Sequence, residues 1–414
     1  VTAPAPAWWH QPGTLQRFVC DLVAGELVRL RPGYRRRGGA WDANLRFAED
    51  LGADSLERLQ LATAVADATH LHSSGVEDTL LAAETIGDWT QTLARGLESF
   101  SAELTFRTSG STGQPKWCLH RLADLADEVE LLAALVGRGG RLLSAVPSHH
   151  IYGFLFTILL PARLGCEVID VRANVPAGLA GTLAPGDILV GFPEFWRAFV
   201  RTTVRVAPGV TGVTSTGPCP PDVARGVAEC GLRLVDVYGS SETAGIGWRD
   251  DPAAPYRLLD HWRRGASDRE LVRRSPDGAE RPFTVPDWLE WEGQRLVRPA
   301  GRTEGAVVVG GTNVFPARIA GLLATHPEVA QAAVRLMRAD EGNRLKAFVV
   351  PRDPNADPTA LRANLWAWID TQLTTPERPK SIVFGAALPV GALGKPADWP
   401  VAVTPAAADP PDGI

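Results

Sequence analysis

The stretch Thr108-Ser109-Gly110-Ser111-Thr112-Gly113-Gln114-Pro115-Lys116 concentrates glycines, hydroxyls and one cation behind the apolar run Leu104-Thr105-Phe106-Arg107. Glycine lets backbone N–H groups approach a polyphosphate, hydroxyls donate to its oxygens, and lysine adds a compact positive charge. The spacing is not GxxxxGK[ST], and Pro115 bars a helix from starting directly after Gly113. Taken alone, the stretch also fits a polar hairpin turn. Lysine usage favours the phosphate reading. Only Lys116, Lys346, Lys380 and Lys395 occur among 42 basic residues, and Lys116 and Lys395 both lie close to glycine. A flexible ammonium fits between small anionic oxygens where a planar guanidinium fits less well.

Further candidates follow apolar runs that read as buried strands: 142–146, 167–171, 188–191, 210–215 and 232–237. Helical patterns alternate with them, among them a stripe at Leu122, Leu125, Val129, Leu132 and Val136 that ends at Gly137. Such alternation predicts a large, mostly parallel α/β core. Ligands of these sheets sit beyond the carboxyl ends of the strands. Ser215-Thr216-Gly217 ends one run, and Tyr238-Gly239-Ser240-Ser241-Glu242-Thr243 ends the next. Tyr238 offers an aromatic face, and Glu242 the hard oxygen that Mg²⁺ prefers. In isolation, Ser-Ser-Glu-Thr would equally cap a helix.

In this order the motifs resemble those of the acyl-adenylate-forming superfamily of AMP-dependent synthetases and ligases. That superfamily includes acyl- and aryl-CoA ligases, peptide-synthetase adenylation domains and luciferases. The resemblance covers residues 104 to 400. It implies that Thr108 to Lys116 grip the β- and γ-phosphates of ATP. It implies that Ser215, Thr216 and Gly217 flank the adenine, that Tyr238, Gly239 and Ser241 hold it, and that Glu242 takes Mg²⁺. Asp287 stands where the family binds both ribose hydroxyls, although Val285-Pro286 replaces the usual Thr-Gly. Arg302 matches the arginine at the domain boundary, Glu304 the hinge, and Gly311 to Pro316 the loop lining the thiol tunnel. Lys395 matches the catalytic lysine, without the arginine that usually follows. His150, in Pro147-Ser148-His149-His150-Ile151-Tyr152-Gly153, matches the side chain that lines the acid pocket.

The chemistry explains these residue types. A carboxylate is a poor acyl donor, because oxide would have to leave. Attack of its oxygen on the α-phosphorus of ATP expels pyrophosphate and turns that oxygen into AMP, a good leaving group. Two anions must meet, so positioned cations supply most of the stabilisation. Rotation at Glu304 would then withdraw Lys395 and admit a phosphopantetheine thiol to the adenylate. The expected activity is an acid:thiol ligase, its acceptor an acyl carrier protein, with free CoA as the alternative. An aromatic acid such as a hydroxybenzoate is preferred, since Ala244-Gly245-Ile246-Gly247 would admit a flat ring. This resembles the ligases of aryl-polyene and related pigment pathways; a fatty acid is the second choice. A degenerate ligase that only docks carrier proteins is the rival from another class.

The acceptor expectation comes from the N-terminal part. Leu51-Gly52-Ala53-Asp54-Ser55-Leu56 resembles the prosthetic-group motif of acyl carrier proteins, which makes Ser55 the candidate for a covalent phosphopantetheine arm. Thr85-Ile86-Gly87-Asp88 matches the start of that family's last helix. Asp54-Ser55-Leu56-Glu57 is also an ordinary capping box. The expected layout is a flexible N-terminus at 1–14, a carrier-like helical domain at 15–95 and a shortened adenylate-forming core at 103–302. A small mobile α+β domain at 303–402 and a disordered tail at 403–414 complete it. The resemblance implies that the family's usual N-terminal subdomain is missing or replaced here.

Bulk properties set the limits. The 414 residues suffice for two or three domains, and 45% hydrophobic with 21% charged residues describes a globular protein. A net charge of −5 argues against a nucleic-acid partner. The five cysteines, scattered without CxxC spacing, suggest reduced thiols and a cytoplasmic location. Neither a signal peptide nor a membrane span is expected.

Overall fold

The computed structural model describes residues 7–31, 34, 41–107, 116–137, 140–203, 205–217, 219–302, 307–309, 312–338, 341–342, 344–389 and 397–401. The helical spacing of Leu15, Phe18, Val19, Leu22, Val23 and Leu27 produces α1 (Thr14–Leu30). Next come α2 (Ser55–Thr69), α3 (Asp78–Ala82) and α4 (Ile86–Ser99). Asp54 caps α2 and Thr85 caps α4, each in a complete capping box with Glu57 and Asp88. The capping expected at Asp54 is therefore present, and Ser55 is the exposed first residue of its helix.

β1 (Glu103–Arg107) and β2 (Trp117–Arg121) form an antiparallel hairpin, followed by α5 (Leu122–Val136). The central sheet begins with β3 (Arg141–Ser144). A helical stretch, α6 (Ile151–Phe154), runs through a π turn into α7 (Leu160–Leu164). β4 (Glu167–Asp170), α8 (Pro176–Leu179), β5 (Ile188–Val190), α9 (Pro193–Thr202), β6 (Thr211–Thr214), α10 (Pro221–Glu229) and β7 (Arg233–Ser240) complete the alternating part. β8 (Ala244–Arg249) and β9 (Tyr256–Leu258) turn back antiparallel. β10 (Trp262–Arg264), β11 (Glu270–Arg274) and β12 (Glu280–Thr284) make a separate three-stranded sheet. The hairpin of β13 (Asp287–Glu292) and β14 (Leu296–Arg302) then edges the central sheet, whose order is β13-β14-β9-β8-β7-β6-β5-β3-β4.

Every apolar run read as a strand lies in the parallel half, from β4 to β7. The other half is antiparallel, so the sheet is mixed. Alternate residues serve opposite faces, as the period of two demands. Leu142, Val190 and Val235 face one core, and Leu143, Leu189 and Leu234 the other. α9 and α10 cover the second face through Trp196, Phe199, Val223 and Val227.

The first face explains the N-terminal part. Phe18 and Leu27 of α1, Leu61 of α2 and Trp89 of α4 share one core with Leu132 of α5, Phe154 and strand residues Leu142 and Val213. The expected separate helical domain at 15–95 is thus an integral layer over the sheet. The expected flexible stretch at 1–14 differs as well, because Trp8 is 4% exposed. Its indole meets Phe18 and Phe154 edge-on at 5.7 and 5.2 Å.

The chain divides into two compact units. The first runs to Thr284 and includes Trp291–Arg298; the second comprises Val285–Glu290 and the chain from Pro299 onward. The chain crosses between them in the β13–β14 hairpin, so the boundary falls before the expected 303. The second unit contains β15 (Val307–Val309), β16 (Thr312–Val314), α11 (Pro316–Leu323), β17 (Val329–Leu336), β18 (Leu345–Pro351), α12 (Pro358–Gln372) and β19 (Ser381–Phe384). β18 pairs antiparallel with β17 and parallel with β19. Its core is its own: Ile319, Leu323, Val334, Val349, Leu361, Leu365 and Ile369 pack together.

Candidate active site

The β1–β2 hairpin presents the candidate phosphate loop. Leu104 and Phe106 alternate inward and anchor its first strand, and Arg107 pairs with Trp117 at its mouth. Thr108 to Gly113 lie outside the described residues. Lys116 is exposed at the entry to β2.

Further along β2, His120 turns inward and joins this hairpin to the next element. Its Nε2 lies 2.7 Å from the carbonyl of Ser241, so the neutral ring carries its proton on Nε2 and donates it. Burial holds the imidazole below its ordinary pKa, which keeps it neutral. Ser241 belongs to the tight β7–β8 turn. Ser240 and Thr243 hydroxyls lie 3.0 Å apart there, and each accepts from the other residue's backbone N–H. Ala244 adopts φ +60°, and a Cβ on Gly239 would lie 2.1 Å from the Ala244 carbonyl. Only glycine permits that approach.

Glu242 sits half-buried in this turn. Its charge and that of Lys116 both reach the Cys118 thiol, which is pushed up to about 11. Burial is the main cause; Glu242 adds to it and Lys116 opposes it. A carboxylate and an ammonium thus share one neighbourhood at the open end of the hairpin. Among the described residues no group of three or more His, Cys, Asp or Glu side chains could hold a metal ion unaided. A single carboxylate suits Mg²⁺, which usually combines one or two with phosphate oxygens and water.

Neighbouring strands build a flat, aromatic edge. Ser215 Oγ donates to the Val237 carbonyl at 2.8 Å, tying β6 to β7. Thr216 follows at φ +76°, and it and Gly217 are exposed. Tyr238 is backed by Tyr256, with ring centroids 5.4 Å apart. Tyr256 in turn donates to Asp236 Oδ2 at 2.7 Å, and Arg249 Nε donates to the same oxygen at 3.0 Å. Burial raises the Asp236 carboxyl despite these two donors.

His150 precedes α6, exposed and 4.1 Å from the His149 ring. Its loop is held from α1. Asp21, 1% exposed, accepts from Ser148 N–H at 2.7 Å and Oγ at 2.8 Å, and pairs with Arg172 at 2.8 Å. A Cβ on Gly25 would lie 2.6 Å from His149 Nε2, so α1 approaches closely.

The glycines of Ala244-Gly245-Ile246-Gly247 have another task than the one expected. Gly245 N–H donates to Glu128 Oε1 at 2.8 Å, and a Cβ there would lie 2.5 Å from that oxygen. At Gly247 a Cβ would lie 2.8 Å from the Arg257 carbonyl. Protein atoms crowd both spaces, so these glycines serve packing and do not argue for a flat ring.

In the second unit Asp287 is buried at the start of β13. Arg302 ends β14, but its side chain lies outside the described residues, as do Glu304 and Lys395. Phe315 closes the segment expected to line the thiol tunnel, its ring 6.0 Å from Trp288. Arg318, which replaces an acidic residue of the family pattern, is paired with Glu377.

Sequence reasoning missed His120, Asp236, Tyr256, Asp21 and Glu128. Only His120 carried a local signal, as an inward position in the hairpin that also bears Lys116.

Comparison with known proteins decides the class. The AMP-binding enzyme model matches residues 59–317, and that family's C-terminal domain model matches 319–395. The chain belongs to the AMP-binding enzyme family. It is an AMP-forming acid–thiol ligase. A 4-coumarate–CoA ligase from Halorhodospira halophila is 41% identical over 386 residues, covering 92% of this chain and 97% of that protein. One from Rhodobacter capsulatus is 38% identical over 397 residues, covering 93% and 100%. The fold matches ATP-bound MatB from Rhodopseudomonas palustris with a TM-score of 0.61 at 20% identity, over 92% and 91% of the two chains. Among the described residues no helix is long and apolar enough to cross a membrane.

Proposed function

We propose that this family member adenylates 4-coumarate, or a closely similar aromatic acid, with ATP and transfers the acyl group to CoA. The observation that carries this reading is the near full-length match to two 4-coumarate–CoA ligases. An alignment covering 92% of the chain must include α2 to α4. The segment that resembles a carrier protein is therefore shared with enzymes named for CoA. This corrects the acceptor expectation: free CoA, the alternative in the sequence reading, becomes the main one, and an acyl carrier protein loses its support. The preferred acid moves from a hydroxybenzoate to a hydroxycinnamate.

In this reading the acid's oxygen attacks the α-phosphorus and pyrophosphate leaves; the CoA sulfur then attacks the acyl carbon and AMP leaves. Lys116 and the hydroxyls and amides of 108–113 bind the outer phosphates. Mg²⁺, held by Glu242, would neutralise phosphate charge. Tyr238 stacks the adenine between Ser215-Thr216-Gly217 and Gly239, and Asp287 and Arg302 bind the ribose side. Lys395 bridges the acid and the α-phosphate, His150 borders the acid pocket, and Glu304 is the hinge. Each lost cation contact should cost about 3–4 kcal/mol in the transition state, like an oxyanion-hole donor.

The test supplies ATP, Mg²⁺ and a panel of 4-coumarate, benzoate, 4-hydroxybenzoate and palmitate. Pyrophosphate release and thioester formation are read with CoA and, separately, with holo acyl carrier protein. The expected product is 4-coumaroyl-CoA, lost by about 100-fold or more in E242Q and K395A. Faster acylation of the carrier protein would overturn the acceptor, and preference for palmitate would overturn the acid.

A further inference from the structure

Lys346 occupies an unexpected place in the second unit. It lies in β18 between Leu345 and Ala347 and is fully buried, 0% exposed. Removing an ammonium from water is costly unless every donor is matched, and an apolar side chain would serve a β-strand core better. The partners show what the cation achieves. Nζ lies 2.8 Å from Glu341 Oε2, 2.9 Å from Asp398 Oδ1 and 2.7 Å from the Trp399 carbonyl. Arg338 pairs with the same Asp398 at 3.1 Å. The Trp399 indole, 4% exposed, packs with Phe348 and Val350 of β18.

Asp398 and Trp399 directly follow the segment that contains Lys395. On its other side, Ala397 N–H donates to the Pro389 carbonyl at 2.9 Å. The two residues flanking 390–396 are thus bonded to each other, and the next two are pinned to β18 by one buried lysine. Asp398 lies only three positions beyond Lys395.

We propose that Lys346 is a positioning residue for Lys395: its buried ammonium fixes Asp398 and Trp399, three and four positions beyond that lysine. The proposal rests on the reading of Lys395 given above. The family pattern carries a lysine at position 395; the anchor is read from this chain's own contacts.

The test uses full-length enzyme and separates the half-reactions. The first is acid-dependent pyrophosphate release from ATP, with the best acid of the panel above. The second is thioester formation from the chemically prepared adenylate of that acid and CoA. K346M, D398N and K395A are compared with wild type. K395A should lose the first half-reaction by about 100-fold. K346M and D398N should lower its kcat about tenfold, with KM for ATP within about threefold, because positioning acts on the transition state. All three should keep the second half-reaction within about twofold. D398N preserves shape and leaves Lys346 paired with Glu341, so it carries the test should K346M fail to fold. Equal loss of both half-reactions in D398N would reduce the cluster to general stability and overturn the proposal. Wild-type adenylation in D398N and K346M, with K395A inactive, would overturn the anchor and spare the lysine reading. Full adenylation by K395A would remove both.

Discussion

The N-terminal helices and the second unit both flank the central sheet in sequence, and they are built on opposite principles. α1, α2 and α4 share a continuous core with α5, α6 and the strands: Phe18 meets Phe154 of α6, while Trp89 packs on Phe47 and extends the same cluster outward. Their polar groups are committed too, with Asp21 bonded to Ser148 and Arg172 and Glu26 to Arg107. The second unit buries Ile319, Leu361, Leu365 and Ile369 among themselves. A layer that shares its core cannot be displaced without exposing apolar surface, at about 25 cal/mol per Å². A unit with a private core carries that core with it. The reaction proposed here asks for such a difference, with a fixed platform for the phosphates and adenine and a chain beyond Glu304 that turns.

The largest effect should come from separating the pieces. A fragment of residues 299–401 should give a dispersed amide spectrum and a cooperative thermal transition, whereas residues 7–101 should give neither. A folded, cooperative 7–101 fragment would restore the independent carrier-like domain and dissolve the contrast. Next in size is Asp21→Ala. It strips a buried acceptor from Ser148 and a partner from Arg172, and should destabilise the first unit by about 3–5 kcal/mol. Chemical denaturation followed by probes in each unit should show the second unit's transition unmoved.

Acidity should distinguish the two units as well. Burial of α5 on β8 pushes the Glu128 carboxyl up to about 7 from its usual 4.5, against the pull of Arg273 and Gly245 N–H. A carboxyl raised on folding favours the folded state fully below its unfolded pKa, and that contribution is lost as pH rises through the folded value. The stability of wild type relative to E128Q should therefore fall between about pH 4.5 and 7, by on the order of 1–3 kcal/mol. Urea midpoints measured across that range check it; a pH-independent difference would mean that Arg273 keeps Glu128 ionised throughout.

The contrast also explains what could be read in advance. The parallel strands were legible because burial on both faces leaves continuous apolar runs such as Ile188-Leu189-Val190. The antiparallel strands were not, because one face is wet and carries charge, as in Trp262-Arg263-Arg264. The Asp54–Glu57 capping box was legible because its partners lie three residues apart. The chemistry motifs were legible for the same reason, since Tyr238 to Glu242 is one local turn. Its supports were invisible. Asp21 and Glu128 sit in helices, where a carboxylate looks like a solvated surface residue until a partner 127 or 117 positions away is placed beside it. Nor could periodicity say whether α1 faced other helices of a small domain or a sheet. An amphipathic stripe specifies a buried face and leaves its partner open.

The smallest expected effect bears most directly on the role of the N-terminal helices. Asp54 accepts from Glu57 N–H at 2.8 Å, and Arg31 clamps the same helix start through Glu57 and the Leu51 and Gly52 carbonyls. Asp54→Ala should cost about 1 kcal/mol, the value of an ordinary N-cap. Ser55→Ala, at the exposed first position of α2, should leave thioester formation on CoA within about twofold and the melting temperature unmoved, as for surface substitutions away from special features. A carrier role makes the opposite demand: the serine would bear the thiol itself, and its loss would abolish acyl transfer while leaving pyrophosphate release intact. Mass measurement of the purified chain before and after treatment with a phosphopantetheinyl transferase and CoA separates the two roles independently, because an arm on Ser55 adds mass that the alanine variant cannot gain. An unchanged mass together with an active S55A enzyme would leave the Asp54–Glu57 box as the whole meaning of the motif. It would then be the start of a helix whose far side is sheet core.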